Sequence, residues 1–464
     1  MSRASITRTG LTACAFFFLL SSVAFAQKSN LTPKATATAK PISFTGYVRA
    51  FSFSRQNATS YPKGTGQINQ AAFNSAIKLH AEYGFGTTPW SVGATYVYAS
   101  PFGANGDDVK TQDTTLPAIG LATIGEAYLR YKDNDVDARI GDQLFTSPWA
   151  NPSDSRVKPV FFQGVDANVA LAPGWTVGLS RMVRWESRVS SSFTNTSLLP
   201  GTTSGFLLAK TSYAHAADLS ANLNYYAFSN YASLVWVDGK WYPVPKSRLK
   251  PFVAGQFGSE KSAGSALVGL IDNQTIGAQI GASVGPVDLT LGYNSSPWHS
   301  KDVTAASCAA AGTASGVFLP AGGTPSCLPL GGGSYRIYYG GMASPYTDSY
   351  ATDPTFTGSI SQTMVDRRSA GDAFKLAASF QTPNRRVKAV LSKAWYDYSN
   401  GAGANADTDE TNVDVSYFVD KVGKGSYHGF QLRHRWAERN IRNTVLYGGL
   451  PSFTYNRTQL EFDF

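Results

Sequence analysis

Along the chain, large apolar and polar side chains alternate in segments of about ten residues. One of them, TYNRTQLEFDF, puts Leu460, Phe462 and Phe464 on one side and Arg457, Gln459, Glu461 and Asp463 on the other. Successive side chains of a strand point to opposite faces, so the segment has a greasy face and a charged one. KLHAEYGF sets Leu79, Ala81, Tyr83 and Phe85 against Lys78, His80 and Glu82, and SVGATYVYA repeats the pattern after the connection GTTPW. In IGEAYLRYK, Ala127, Leu129 and Tyr131 oppose Glu126, Tyr128, Arg130 and Lys132. TIGAQIGASV aligns Ile276, Ala278, Ile280, Ala282 and Val284, and VDLTLGY follows Gly285-Pro286. TNVDVSYFV sets Val413, Val415, Tyr417 and Val419 against Asp414 and Ser416. A period of two over such lengths predicts strands throughout.

Eighteen strands are expected, the first over 43–55 and the last over 454–464. If 228–250 were one irregular loop instead of parts of several strands, the count would be sixteen. The connections alternate in length. GTTPW, KDNDVD, LAPGW, HAAD, VGPV and QTPNR are short, whereas 56–72, 100–120, 144–160, 187–205 and about 295–370 are long. A soluble sandwich has no reason to keep one end short and the other long, but a membrane barrel with short periplasmic turns and long external loops does. No repeat of propeller or solenoid length is present. The expected fold is therefore all-β, a closed antiparallel transmembrane β-barrel. An even count returns both ends of the barrel to one side, and closure pairs the last strand with the first, leaving no edge. Apolar faces then meet lipid and charged faces line the lumen.

Residues 1–26 fit a removable Sec signal peptide: Arg3 and Arg8, an apolar run from Ala13 to Leu20, then Ala24-Phe25-Ala26. Cys14 would leave with it. Residues 27–42 read as a polar, flexible periplasmic lead, and the barrel occupies 43–464. Removing the two arginines takes the net charge from +9 to +7. Export makes nucleic acid a poor partner for this basic balance. No later apolar run is long enough for a membrane helix. Aromatics at 13% with charged residues at only 15% and 44 glycines suit a membrane barrel with aromatic girdles. Cys308 and Cys327 form a possible loop disulfide in an oxidising compartment.

Several stretches together resemble the OprD family of substrate-selective outer-membrane porins. VRAFSFSR is similar to the family's opening strand. GDQLFTSPWANPSDSRVKPVFFQGV resembles its third loop, the matching positions being Ser153, Asp154, Arg156, Pro159, Phe162 and Gly164. FVAGQFGSEKSAGSALVGLIDNQTIGAQIG resembles a strand, Gly-rich loop and returning strand of the family, and DETNVDVSYFVD and NRTQLEFDF match its late strands. Gln163 departs from the acidic residue usual before that Gly, and 295–370 is unusually rich in Gly and Ala. The resemblance implies a bacterial outer-membrane channel for small hydrophilic solutes bearing carboxylates, organic acids or amino acids, without metal or cofactor. It implies that the loop 144–160 folds inward and narrows the pore, and that Phe464 is the terminal aromatic read by the outer-membrane assembly machinery. It leaves monomer and loose trimer both open.

Parity places the candidate residues. Phe430, Leu432 and Trp436 face out, so Arg433, Arg435 and Arg439 face in; Val387, Ala389 and Leu391 face out, leaving Arg386 and Lys388 inside. Lys78, Arg130, Lys375 and Arg457 join this expected ladder of lumenal cations. A Lys or Arg facing lipid at mid-membrane costs about 2–4 kcal/mol, which gives the assignment its force. Guanidinium groups spaced two residues apart form a row of bidentate carboxylate sites, able to pass an anion along without trapping it. The bland alternative is that these charges solvate a water-filled wall, balanced by the lumenal Glu82, Glu126 and Glu461. Arg49 and Arg55 share parity with Phe51 and Phe53, which leaves either open to be interfacial. His434 and Lys393 fall on apolar faces and are expected at strand ends. Asp154, Arg156 and Lys158 lie in the expected constriction loop, stiffened by Pro148, Pro152 and Pro159.

Other classes are weaker. DYSNG (397–401) resembles part of a barrel-phospholipase motif, but Asp397 occupies the His position, so Ser399 lacks its base unless His434 is recruited. Hydrolase, zinc-protease and P-loop signatures are missing. A loop-based receptor or adhesin, or a general porin with mild anion preference, remains as the alternative.

Overall fold

The computed structural model describes residues 42–59, 67–102, 119–153, 156–199, 201–215, 218–267, 271–297, 299–306, 328–339, 342, 344–347, 353–364, 370–399, 405–419, 429–442 and 452–464. All lie in the unit Pro41–Phe464. The signal peptide, nearly all of the lead, Asp154, Cys308 and Cys327 fall outside the described residues.

The strands, in chain order, are β1 (Ile42–Thr59), β2 (Gln67–Gly84), β3 (Trp90–Ser100), β4 (Leu121–Lys132), β5 (Val136–Gln143), β6 (Phe161–Ala172) and β7 (Trp175–Glu186). Then come β8 (Phe206–His215), β9 (Leu219–Phe228), β10 (Ala232–Trp241), β11 (Phe252–Ser262), β12 (Asp272–Val284) and β13 (Val287–Ser296). After the small strands β14 (His299–Thr304), β15 (Leu328–Gly331) and β16 (Ser334–Tyr339) follow β17 (Ala370–Gln381), β18 (Val387–Ser399), β19 (Asn405–Phe418), β20 (Gly429–Ile441) and β21 (Phe453–Asp463). Eighteen of them form one sheet, each pairing antiparallel with its chain neighbour; β14–β16 form a separate three-stranded sheet within the long connection. Pairing of β1 with β21 closes the barrel, Ala50 opposite Leu460. Gly46 and Phe464 exchange two backbone hydrogen bonds, at 2.9 and 3.1 Å. The sixteen-strand reading fails because β10 pairs on both sides within the disputed stretch.

The differences from expectation have local causes. The alternation also reads as a strand over 246–258, but β11 begins only at Phe252, because Pro243, Pro245 and Pro251 cannot donate to a ladder. The loop expected over 56–72 is mostly strand: β1 and β2 run on as a hairpin whose polar sequence, with Asn57 at φ 56°, lacks apolar alternation. Tyr231 donates to Phe228 in a tight turn, so one connection at the long-loop end is short.

Alternation works as the pattern requires. Ile280, Leu291 and Leu376 lie in register on the outer wall, each about half exposed in the isolated chain. Leu79, Tyr83, Trp90, Phe430 and Leu460 belong to the same lipid-facing surface. Lys393 and His434 do lie on it, but in mid-strand and not at strand ends: the Lys393 ammonium binds Asp409 and Thr411, and His434 Nδ1 lies 3.0 Å from Thr458 Oγ1. Arg49 and Arg55 are both lumenal, together with Phe51 and Phe53. Those rings face inward because the loop before β6 covers them.

Candidate functional site

The described residues of the loop 144–160 are packed inside the barrel. A bulge opposite Thr95 and Tyr96 turns both Gly125 and Glu126 inward. A Cβ on Gly125 would meet the Phe161 ring at 2.2 Å, so only glycine lets that ring lie against β4. Glu126, 4% exposed, accepts the Leu144 amide at 2.9 Å and fixes where the loop leaves the wall. At its first half, Trp149 packs edge-on against Trp236 at 5.1 Å and donates its amide to the Tyr226 hydroxyl at 3.2 Å. At its second half, the Tyr47 hydroxyl donates to the Val157 carbonyl at 2.9 Å, and Arg49 donates to the Arg156 carbonyl at 2.6 Å. The loop thus reaches both the β9–β10 wall and β1, on opposite sides of the strand order. Lys158 is fully buried, 2.7 Å from Glu186 Oε1 and 2.7 Å from the Ser187 carbonyl. It fastens the loop and does not face the pore. Arg156 lies over the Phe53 ring at 5.6 Å.

A second inward segment comes from the stretch expected to be external. Met342, Tyr346 and Thr355 to Met364 are largely buried. Tyr346 packs edge-on against Phe162 and Trp185 and at a tilt against Phe206 and Phe228, and forms a bridge with Ala150 of the first loop. Residues 353–364 are held by lumenal side chains of five strands. Gln256 donates to Pro354, Asn294 accepts from Thr357 at 3.1 Å, and Lys375 donates to Gly358. The Tyr396 hydroxyl donates to Thr357, and Thr408 to Gln362 at 3.1 Å. Asn412 accepts the Ile360 amide at 3.3 Å, and Glu410 accepts the Ser361 amide at 2.9 Å and its hydroxyl.

The expected basic residues are inward but rarely bare. Arg433 grips Asp414 with two bonds, 2.8 and 2.6 Å, and Arg435 shares the same carboxylate at 2.8 Å. Arg435 and Arg457 stand directly opposite one another in the β20–β21 register. Arg457 is 1% exposed, donates to Gln459 and lies over the Phe51 ring at 4.5 Å. Glu461 pairs with Arg49. Arg439 lies over Phe453 at 4.7 Å and Lys78 over Tyr47 at 5.0 Å. Arg130 makes a fork with Asp137 and is 3.5 Å from Glu82. Lys388 is the exposed first lumenal position of β18, and Arg386 belongs to the turn before it. On β1 and β19–β21, Arg49, Arg55, Arg433, Arg435, Arg439 and Arg457, with Arg156 from the loop, outnumber Glu410, Asp414, Glu461 and Asp463.

Sequence reasoning missed Asp414 as the shared counter-ion, and missed the far wall entirely. There a cavity of about 560 Å³ is roofed by Ser147 and Pro148 and walled by β6–β11 and Pro354. Lys210, on its wall, pairs with Asp166 at 3.0 Å. The phospholipase arrangement is absent: Ser399 pairs with Asn405 and His434 with Val415, ten residues apart along β19. That is about 33 Å of strand, and Asp397 is bonded to Arg442 at 2.7 Å.

Comparison with curated proteins gives no match. Among solved structures, a BenF-like porin from Pseudomonas fluorescens Pf-5 superimposes with a TM-score of 0.69 at 15% identity, over 91% of this chain and 98% of the other. OccAB3 of Acinetobacter baumannii gives 0.70 at 13% identity, over 91% and 99%. OpdK of Pseudomonas aeruginosa, solved with vanillate, gives 0.66 at 13%, over 92% and 100%. The family model described as outer membrane porin, OprD family, matches residues 53–300, more than half of the chain. With an eighteen-stranded closed barrel, a greasy outer wall and a charged lumen narrowed by inward loops, the chain belongs to the OprD family of outer-membrane porins, which are channels of the bacterial outer membrane.

Proposed function

We propose that this pore passes small hydrophilic solutes bearing a carboxylate, organic acids or amino acids, along the basic wall formed by β19–β21 and β1. The observation that carries the reading is the cross-strand pair Arg435–Arg457, with Arg433 beside it and a single carboxylate, Asp414, shared by Arg433 and Arg435. Like charges directly opposite each other in a sheet are unfavourable; the buried Arg457 adds positive potential behind Arg433 and Arg435, which share only Asp414, so an anion that visits those two is favoured. Guanidinium groups are suited to forked carboxylate contacts, and several moderate sites favour passage over trapping. The vanillate in the OpdK structure is itself a carboxylate, which is in keeping with this reading.

The test is the reversal potential of the purified porin in a planar bilayer under a salt gradient, repeated with a small carboxylate as the only anion. Anion preference that persists with the carboxylate, and that falls in Arg435→Ala, supports the basic wall as the path. Stable conductance with no preference would leave a general porin.

A further inference from the structure

We infer that the lumen carries a second solute subsite, on the wall facing the basic one, that takes the hydroxyl-bearing part of a polyhydroxylated aliphatic carboxylate. This rests on the carboxylate reading above and names the rest of the solute. The two walls are opposed by count. β6–β11 are centred nine strands away from β19–β1 in an eighteen-strand ring. The cavity there, about 560 Å³, has the size of small-molecule pockets.

Its chemistry is that of hydroxyl recognition. The lining side chains include Asn168, Lys210, Asn222, Asn224, Asp238 and Gln256. Asn224 is 4% exposed, and among the described residues its carboxamide has no hydrogen-bond partner. Its amide is not sealed off but opens on the cavity, so whatever fills the cavity supplies its partner. Carboxamides both donate and accept, as hydroxyls do. Lys210 is already committed to Asp166 at 3.0 Å, so it offers no bare cation to a second carboxylate. Asp238 accepts from the Asn222 amide at 2.8 Å and the Trp236 indole at 3.2 Å, and its other lone pairs suit hydroxyl donors while repelling an anion. Among the described residues that line the cavity none is aromatic. The neighbouring Trp149, Trp236 and Tyr226 are consumed in seating the loop above it, so an aromatic ring would find no face to stack on. No residue of β19–β21 or β1 is among the described residues lining the cavity, so the solute meets the two walls in turn: its carboxylate at Arg433 and Arg435, its hydroxylated chain here.

The test compares gluconate, hexanoate and benzoate, each added to the full porin in a planar bilayer, by the residence time read from single-channel current interruptions. The expected order places gluconate longest, and Asn224→Leu shortens its residence about tenfold, the scale of a lost hydrogen-bonding group. Asp238→Asn, which keeps shape and removes charge, shortens it as well. Hexanoate or benzoate held as long as gluconate, or gluconate residence unchanged in both variants, overturns the subsite. The wild-type reversal potential separates the two ideas: loss of anion preference defeats the carboxylate reading, whereas preference without gluconate selectivity defeats only this one.

Discussion

Lys158 and Glu186 show what a single residue does in this pore. Both are essentially inaccessible, and the ammonium is satisfied by the carboxylate and the Ser187 carbonyl. Removing one member of such a pair strands a charge, at a cost of about 3–5 kcal/mol, whereas replacing both by apolar groups can be neutral. Lys158→Met is therefore expected to lower the denaturant midpoint of the folded barrel strongly, and Lys158→Met with Glu186→Met to recover most of it. Unfolding followed by loss of the heat-resistant band checks this, and equal stability of all three proteins would show that the pair does not anchor the loop. Parity told which way Arg433, Arg435, Arg439, Arg457, Lys78 and Arg130 point. It was silent on their partners, because Asp414 and Asp137 come from other strands and depend on register.

At the level of elements, the two inward segments differ in how they are held. The loop 144–160 is seated by aromatic packing together with hydrogen bonds and the Lys158–Glu186 pair, while 353–364 is held almost wholly by hydrogen bonds from wall side chains. Deleting 355–362 should remove that restriction and raise single-channel conductance several-fold without unfolding the barrel. Unchanged conductance would mean that the segment does not obstruct the path. Glu410→Ala, which removes the acceptor of the Ser361 amide and hydroxyl, is expected to give noisier current at nearly the same mean conductance. Amplitude histograms of the open level read the difference. No periodicity announces the second segment. Its Ser and Thr residues look like those of any solvated loop, and only the matching donors and acceptors on β11, β13 and β17–β19 reveal that it is buried.

For the whole molecule, the lipid-facing wall sets the stability. Leu291 lies near the middle of β13, flanked by Ile280 and Leu376. Leu291→Arg is expected to cost about 2–4 kcal/mol in a bilayer-folding titration, and Gln279→Arg on the lumenal face of the neighbouring strand far less. Equal costs would mean that the two faces are assigned the wrong way round. The same parity explains why the Lys393 ammonium is tied to Asp409 and Thr411: a cation on the outer wall needs local partners.

The alternation of side chains alone determined the fold class and the face most strands give to lipid, since a period of two in a closed sheet fixes which side chains point outward; the choice of eighteen strands over sixteen and the facing of Arg49 and Arg55 waited for the pairing of β10 and the burial of β1. Strand ends were blurred where prolines delay β11 and where β1 and β2 extend beyond the apolar band. The inward path of 144–160 was legible only through family likeness. Tertiary structure decided the rest. Whether a lumenal arginine is bare, forked to a carboxylate or buried under a loop depends on which residues from distant strands meet it. The burial of 353–364 and the cavity on the far wall arise from contacts between segments distant in sequence, such as Gln256 with Pro354, and a local pattern cannot encode such contacts.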